Sequence, residues 1–414
     1  MRILTPLVLA LTLALLLAAP WLLSPALLNA AVQMLIAALF ASAFALLCGQ
    51  AGMLSFGHSA YFGLGAFATI HAMNAINGAG LLPTPLLPLV GGLAGLISGI
   101  VAGWFATKRT GVYFSMITLA LAELLHALAP HLKGIFGGEA GVSAMRMPAW
   151  GISFGSDIDV YYLTLAWVLL SLVLLYLFTL TPVGRLTLGL RENTHRLRFL
   201  GYDIHKLSVL VFAVSAMFSG VAGALQALNI EAANYVVLDM HLSASVVLNS
   251  YIGGVKVFLG PAIGAALMSF FGYAISDLTR SWLLYQGVLF VLVMMFLPQG
   301  LVGEAARWLR AGSLRLDGAR LATGMMFAVA ALMTAAGFVC AVELAQRFFS
   351  ADYRAMAGAG HWPTVSLFWL QWSPVHWLTF VAPLGLMGAG LWLLILAARR
   401  FDSDRASHER TGDA

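Results

Sequence analysis

The sequence predicts an all-α, polytopic transmembrane helical bundle, and three observations carry that prediction. Hydrophobic residues make up 61% of the 414 and charged residues only 9%, against about a quarter in soluble domains. Apolar runs recur at about 17–25 residues, the length a helix needs to cross hydrocarbon, and not as the short alternating segments of a membrane β-barrel. The basic residues gather in the short connections between the runs, which orients a membrane protein. That distribution argues against nucleic acid as the partner of a chain with net charge +5.

Twelve apolar segments follow one another, at about 4–23, 30–48, 53–73, 86–106, 111–130, 161–180, 207–229, 243–259, 261–278, 282–298, 321–343 and 377–398. About ten form a core and two are added at the C-terminal side. The first is long and a second follows at once, so it reads as an uncleaved helix and not as a signal peptide. Gly253, Gly254, Gly260 and Pro261 interrupt 243–278, so this region is either two short spans or a broken, re-entrant element. With the N-terminus cytoplasmic and every segment crossing, 17 of the 22 Lys and Arg fall inside and 5 outside. That asymmetry places both termini in the cytoplasm. The expected organisation is a transmembrane domain over 1–303, an extension with two spans over 304–400, and a disordered polar tail over 401–414.

Residues 131–160 form an outside loop and 181–206 the longest polar inside stretch of the core. A second outside loop, 344–376, carries Phe348, Phe349, Tyr353, Trp362, Phe368, Trp369 and Trp372, aromatics suited to the membrane interface. Cys48 and Cys340 sit in or beside apolar runs and read as buried thiols.

The chain has no G-x-x-x-x-G-K-[ST] phosphate loop; "GGEAGVSAM" has the glycines without the lysine. H-E-x-x-H and C-x-x-C are absent as well. No catalytic group, metal site or cofactor is therefore assigned, and ATP-driven work would need a separate ATPase subunit. The inside stretch "TPVGRLTLGLRENTHRLRFLGYDIHKLS" (Thr181 to Ser208) interleaves leucines with charges between Gly184 and Gly201. On its residues alone it is either an amphipathic segment that docks into a groove on another protein or a positive-inside anchor.

Polar residues within the apolar runs are the candidates for a translocation path or its gating: Gln50, Ser55, His58, Glu123 and Asn249. An intramembrane ionisable group faces a bundle interior or a water-filled path, so His58 is either path-lining or bonded within the packing. Glu123 either pairs with His126 or His58 or lies near water at the outer end. Gly57, Gly63 and Gly65, with Ser55 and Ser59, allow close helix packing or mark a broken-helix substrate site. Gly253, Gly254 and Pro261 mark a break.

Four stretches resemble one family, the LivM-type permease subunits of branched-chain amino acid ABC transporters. They are "GQAGMLSFGHSAYFGLGAFA" (Gly49–Ala68), "TGVYFSMITLALAELL" (Thr110–Leu125), "GRLTLGLRENTHRLRFLGYD" (Gly184–Asp203), and the pair "VVLNSYIGGVKVFLGPAIGAAL" and "YQGVLFVLVMMFLPQGLVG" within 246–303. The resemblance implies an importer of branched-chain amino acids or related small polar solutes in a bacterial inner membrane. Its implied partners are a second related permease subunit in a heterodimer, two cytoplasmic ATPase subunits that bind ATP, a periplasmic solute-binding protein and membrane lipid. It also implies coupling to the ATPases through Gly184, Arg185, Arg191, Glu192, Asn193 and Gly201. The outer loop departs from the family pattern, reading "GGEAGV" from Gly137 to Val142 with Glu139 in the polar place. Residues 304–414 lie beyond the family core. Urea, short amides and other amino acids are the alternative cargoes. An ion-coupled secondary transporter is the alternative of another class, with an intramembrane enzyme and a scaffold behind it.

Overall fold

Hydrocarbon offers no partner for backbone N–H and C=O groups, so apolar runs of this length satisfy them internally as helices. In the computed structural model, which describes residues 4–76, 82–276, 279–311, 318–357, 362–367, 370–373 and 376–412, each of the twelve apolar segments contains a helix. The chain divides into two units, Met1–Ala274 with Gln286–Arg310, and Ile275–Tyr285 with Ala311–Ala414.

The first unit opens with α1 (Leu4–Leu22) and α2 (Pro25–Ala45). Ser24 caps α2, its side chain accepting from the Leu27 amide, and Pro25 starts the helix where no N–H is missed. A π-helical turn, Leu46–Gln50, ends this span. The chain is then extended to α3 (His58–Ile76), so the segment expected from residue 53 begins its helix only at His58. Gly52 (φ +72) turns the chain, and a side chain at Gly57 would overlap the Thr118 carbonyl. Next come α4 (Leu87–Ala106), α5 (Val112–Leu128), the single turn α6 (Lys133–Phe136) and α7 (Asp157–Leu180). The inside stretch folds as α8 (Pro182–Glu192) and α9 (Thr194–Phe199). α10 (Ile204–Ile230) comes next, then α11 (Met240–Gly253), α12 (Gly260–Ser276), α13 (Trp282–Phe296) and α14 (Gly300–Ala311).

Among the described residues, seven helical stretches are long and apolar enough to cross a membrane, and three apolar helices are shorter. α2 and α10 are the most buried of the long ones. The core gathers on them: Phe44 and Leu47 meet Phe212, Tyr161 and Leu225 in one cluster. α4 lies against α10 along Gly91, Gly95 and Gly99, where added side chains would strike Ala224, Ala216 and the Gly220 backbone. This four-residue spacing of small residues lets two membrane helices approach closely. α11 has 14 residues, about 21 Å at ~1.5 Å per residue, and is too short alone to cross a core of ~30 Å. The 243–278 region is thus a broken pair, α11 and α12, joined by a turn in which Gly254 has φ +104. Pro261 sits in the first turn of α12, where its missing N–H costs nothing.

Beside the carboxyl end of α10, two-residue strands β1 (Val142–Ser143) and β2 (Ala232–Ala233) pair antiparallel. Arg146 Nε lies 3.0 Å from Glu231 Oε1. The Arg146 amide donates to the same oxygen at 2.9 Å, and Nη1 donates to the Leu228 carbonyl at 3.0 Å. One guanidinium therefore ties the 131–160 loop to the carboxyl end of α10, where cations are favoured.

The second unit is built on α15 (Gly318–Phe348), α16 (Ala351–Met356) and α17 (Leu378–Gly412), with the hairpin β3 (Val365–Leu367) and β4 (Leu370–Trp372) between α16 and α17. α15 and α17 run antiparallel, with Gly337 against Met387 and Gly390 against Thr334. Buried Glu343 accepts from Thr279 and from the Tyr285 hydroxyl, the latter at 2.8 Å. Of the interface aromatics, Phe368 and Trp369 lie outside the described residues. α17 continues to Gly412, where composition predicted a disordered tail. Between Gly390 and Gly412 no glycine or proline interrupts the helix started in the apolar run.

Candidate functional site

The glycine-rich stretch is where the distant parts of the first unit meet. At the π turn, Arg191 Nη1 donates to the Gly49 carbonyl at 2.6 Å and Gln50 Nε2 donates to the Gly184 carbonyl at 2.8 Å. Gly52 backs onto the Arg191 side chain, and a side chain at Gly49 would strike the Val255 carbonyl. Cys48 Sγ lies 3.4 Å from the Tyr251 hydroxyl of α11. The turn is thus held by α8 on one side and by the α11–α12 connection on the other. Its π form leaves carbonyls out of α register, and Gly49 uses one to receive the guanidinium.

One step along, the stretch meets α5. Ser115 Oγ donates to the Leu54 carbonyl, and the Phe56 amide donates to Thr118 Oγ1 at 3.3 Å. At the start of α3 the partner is α11. Ser243 Oγ donates to Ser59 Oγ at 2.8 Å and accepts from the Ser59 amide at 2.8 Å, while Ser59 Oγ donates to the Leu238 carbonyl at 3.1 Å. Gly63 makes room for Leu238, and Gly65 rests on the Gly220 backbone of α10. All these serines and glycines serve close packing.

His58 is 1% exposed. Its Nε2 is 2.8 Å from Ser215 Oγ, and Phe44, Tyr61 and Phe212 meet the ring edge-on. Ser215 Oγ in turn donates to the Ala43 carbonyl at 2.6 Å. That hydroxyl hydrogen is used, so the imidazole donates from Nε2, and Nδ1 has no partner. His58 in this state is enclosed packing among α2, α3 and α10. Ser55, also fully buried, accepts from the Gly57 amide. Neither pairing anticipated for Glu123 forms: His58 holds Ser215, His126 stacks against Tyr235, and the salt bridges among the described residues lie elsewhere. Asn249 accepts from Gln286 of α13 at 3.2 Å. Gly253 and Gly254 press on Gly260 and Gln299 respectively, with no space for a side chain at either.

On the inside stretch, α8 buries Gly184, Thr187 and Leu190, presents Arg185 and Glu192 outward and turns the Arg191 guanidinium back to Gly49. Thr181 caps it, its side chain accepting from the Gly184 amide. Asn193 separates α8 from α9 and caps the latter, its Oδ1 accepting from the Arg196 amide. Leu197 covers Gly189, so the two helices fold on each other. Gly201 (φ +87) turns the chain, and Asp203 caps α10. The Lys206 amide, first among several donors, holds the Asp203 carboxyl below the usual carboxylate range. The tip carries Phe199, 91% exposed, beside exposed Leu200 and Tyr202. Sequence reasoning passed over this apolar tip, although "RFLGY" announces it as an aromatic among charges. It likewise passed over the 91-95-99 glycine spacing in α4.

A single inside segment is therefore fastened by side chains into a bundle of membrane helices, and this defines a multi-pass helical membrane protein with a built connection between its surface and its interior. The family profile described as "Branched-chain amino acid transport system / permease component" matches residues 26–298, and the chain belongs to that family of transport permeases. Its relatives include the high-affinity branched-chain amino acid transport system permease proteins LivM of Salmonella typhimurium and of Escherichia coli. Each is 27% identical over 278 residues, covering 61% of this chain and 64% of the relative. The chain thus matches less than two thirds of the length of these curated relatives. The ribose import permease protein RbsC of Haemophilus influenzae is 25% identical over 206 residues, covering 48% of this chain and 62% of that one. No solved structure matches.

Proposed function

We propose that the chain is the membrane-spanning subunit of an ATP-driven importer, moving branched-chain amino acids or related small polar solutes across a bacterial inner membrane. The observation that supports this best is the pair of bonds from α8 to the π turn, Arg191 to Gly49 and Gln50 to Gly184. A push on α8 reaches the ends of α2 and α3 through two hydrogen bonds and through Gly52. The exposed tip of Phe199, Leu200 and Tyr202 offers the apolar anchor that a docked ATPase subunit would cover. ATP is bound and hydrolysed by two such cytoplasmic subunits, a periplasmic solute-binding protein supplies cargo, and a second related permease subunit completes the pathway as a heterodimer. The matched stretch of RbsC widens the class of cargo to small polar solutes in general, with urea, short amides and other amino acids among them.

In this reading, Arg185, Glu192 and Asn193 shape the α8–α9 docking surface, and Gly184 and Gly201 fix its two ends. His58 reaches a solute only in a state that parts the helices now closed around it, and Glu123 and Asn249 are further candidates for the path. The 17-to-5 charge count supports cytoplasmic termini. Residues 304–414 are an extension outside the family's matched region, 26–298. The test is coupled uptake in proteoliposomes of the assembled importer. Arg191→Ala, or a scrambled 191–200, should leave membrane insertion intact and ATP hydrolysis running while uptake falls at least tenfold, about 1.4 kcal/mol of lost coupling. Undiminished uptake from either variant overturns the coupling role. Uptake that runs on an ion gradient without the ATPase would establish the secondary-transporter reading instead.

A further inference from the structure

Beside the π turn lies a cavity of about 160 Å³, lined by Ser42, Gly49, Gln50, Thr179, Arg191 and Lys256, among others. We propose that this cavity is a binding site for a phosphate monoanion, occupied by the headgroup phosphate of an anionic phospholipid in the leaflet facing α8. Two cationic residues, Arg191 and Lys256, line the cavity from different elements, and no Asp or Glu lines it. Among the described residues neither cation has a carboxylate partner. Arg191 spends Nη1 on the Gly49 carbonyl. That bond fixes the planar guanidinium and leaves its remaining donors for a tetrahedral oxyanion, the geometry arginine binds best. The volume is about five times the ~30 Å³ a water molecule occupies in the liquid, enough for a phosphodiester group.

The surroundings select the lipid source. The cavity is walled on one side by the last turns of α7, at Leu175 and Thr179. The outer face of that helix carries exposed Leu170, Val173, Leu174 and Leu177, a surface for acyl chains. Basic pockets between membrane helices on the cytoplasmic side are recognised headgroup sites. A phosphate here would bridge α8, through Arg191, to the α11–α12 connection, through Lys256, on either side of the π turn. Assigning the leaflet as cytoplasmic rests on the orientation proposed above; the phosphate chemistry does not.

The full chain in detergent, titrated with phosphatidylglycerol or phosphatidylcholine and read by native mass spectrometry, tests the site without any ATPase. Phosphatidylglycerol should be retained over phosphatidylcholine, and Lys256→Gln should weaken that retention about fivefold, the share of one basic residue at an anionic surface. Lys256→Arg should keep it, which separates lost charge from lost fold. A second arm adds inorganic phosphate at millimolar concentration. If it fails to displace the lipid, the lipid is the ligand; if it competes and binds alone, the same site takes free phosphate. Retention equal in wild type and Lys256→Gln overturns the proposal. So does unchanged lipid binding with weakened ATPase affinity, which would make the two cations a protein contact. Loss of coupled uptake in Arg191→Ala with lipid retention unaltered by Lys256→Gln would keep the importer reading and discard this one.

Discussion

At Gly65 a hydrogen atom stands where a methyl group would overlap the Gly220 backbone of α10. Gly65→Ala should cost about 1–3 kcal/mol, the usual effect of overpacking, and lower the thermal unfolding midpoint in detergent. Gly287, mid-helix with open space around it, is the contrast: Gly287→Ala should stabilise by roughly 0.5–1 kcal/mol. A second residue-scale prediction concerns Asp203. Its folded pKa lies below its unfolded one, so its capping contribution is complete above the ordinary carboxylate range and is lost as pH falls through the folded value. Protection of the amides in the first turn of α10 against exchange should fall as pH drops through the carboxylate range in the wild type and show no such fall in Asp203→Asn, which keeps the cap without the charge.

At the scale of elements, the strap of β1, β2 and Arg146 holds the 131–160 loop against the end of α10. Arg146 is nearly buried while Glu231 is about one-third exposed (side-chain values 13% and 35%), so solvent screening leaves the pair at the lower end of charge-assisted bonds. Arg146→Ala should raise exchange of the Val142–Ala144 amides about tenfold, about 1.4 kcal/mol, with the amides in the middle of α10 unchanged. The same strap leads through residues 234–239 into α11, so loosening it should also speed exchange at the Ser59 amide, which Ser243 holds. The elements themselves were largely legible. Runs of apolar residues set the helices, and Pro25, Pro182 and Pro261 sit in first turns as their chemistry requires. The helical start at His58 was not legible, because it depends on Thr118 of α5 closing over Gly57.

For the whole molecule, the decisive contacts join residues far apart in sequence. Arg191 and Gly49 are 142 positions apart, and Ser59 and Ser243 are 184 apart. Composition and periodicity report on neighbours along the chain, so they set the apolar segments and said nothing of how the four motif stretches meet. The resemblance supplied the family. The fastening of the inside segment came only from the fold, which gives Gln50 a bond to α8. Uptake loss on breaking that fastening, as predicted for Arg191→Ala, is therefore a property of the assembled importer and has no counterpart in the stability of the isolated chain.

The wide turn at Leu46–Gln50 also amounts to slack. A π turn is one residue inserted into an α-helix, and at 3.6 residues per turn that residue is worth roughly 100° of rotation. Reeling it back into α geometry would swivel Gly49 and Gln50 away from Arg191 and Gly184, while α2 up to Ala45 kept its own hydrogen bonds. Such a spool lets a rigid membrane helix redirect the chain beyond its end without being bent.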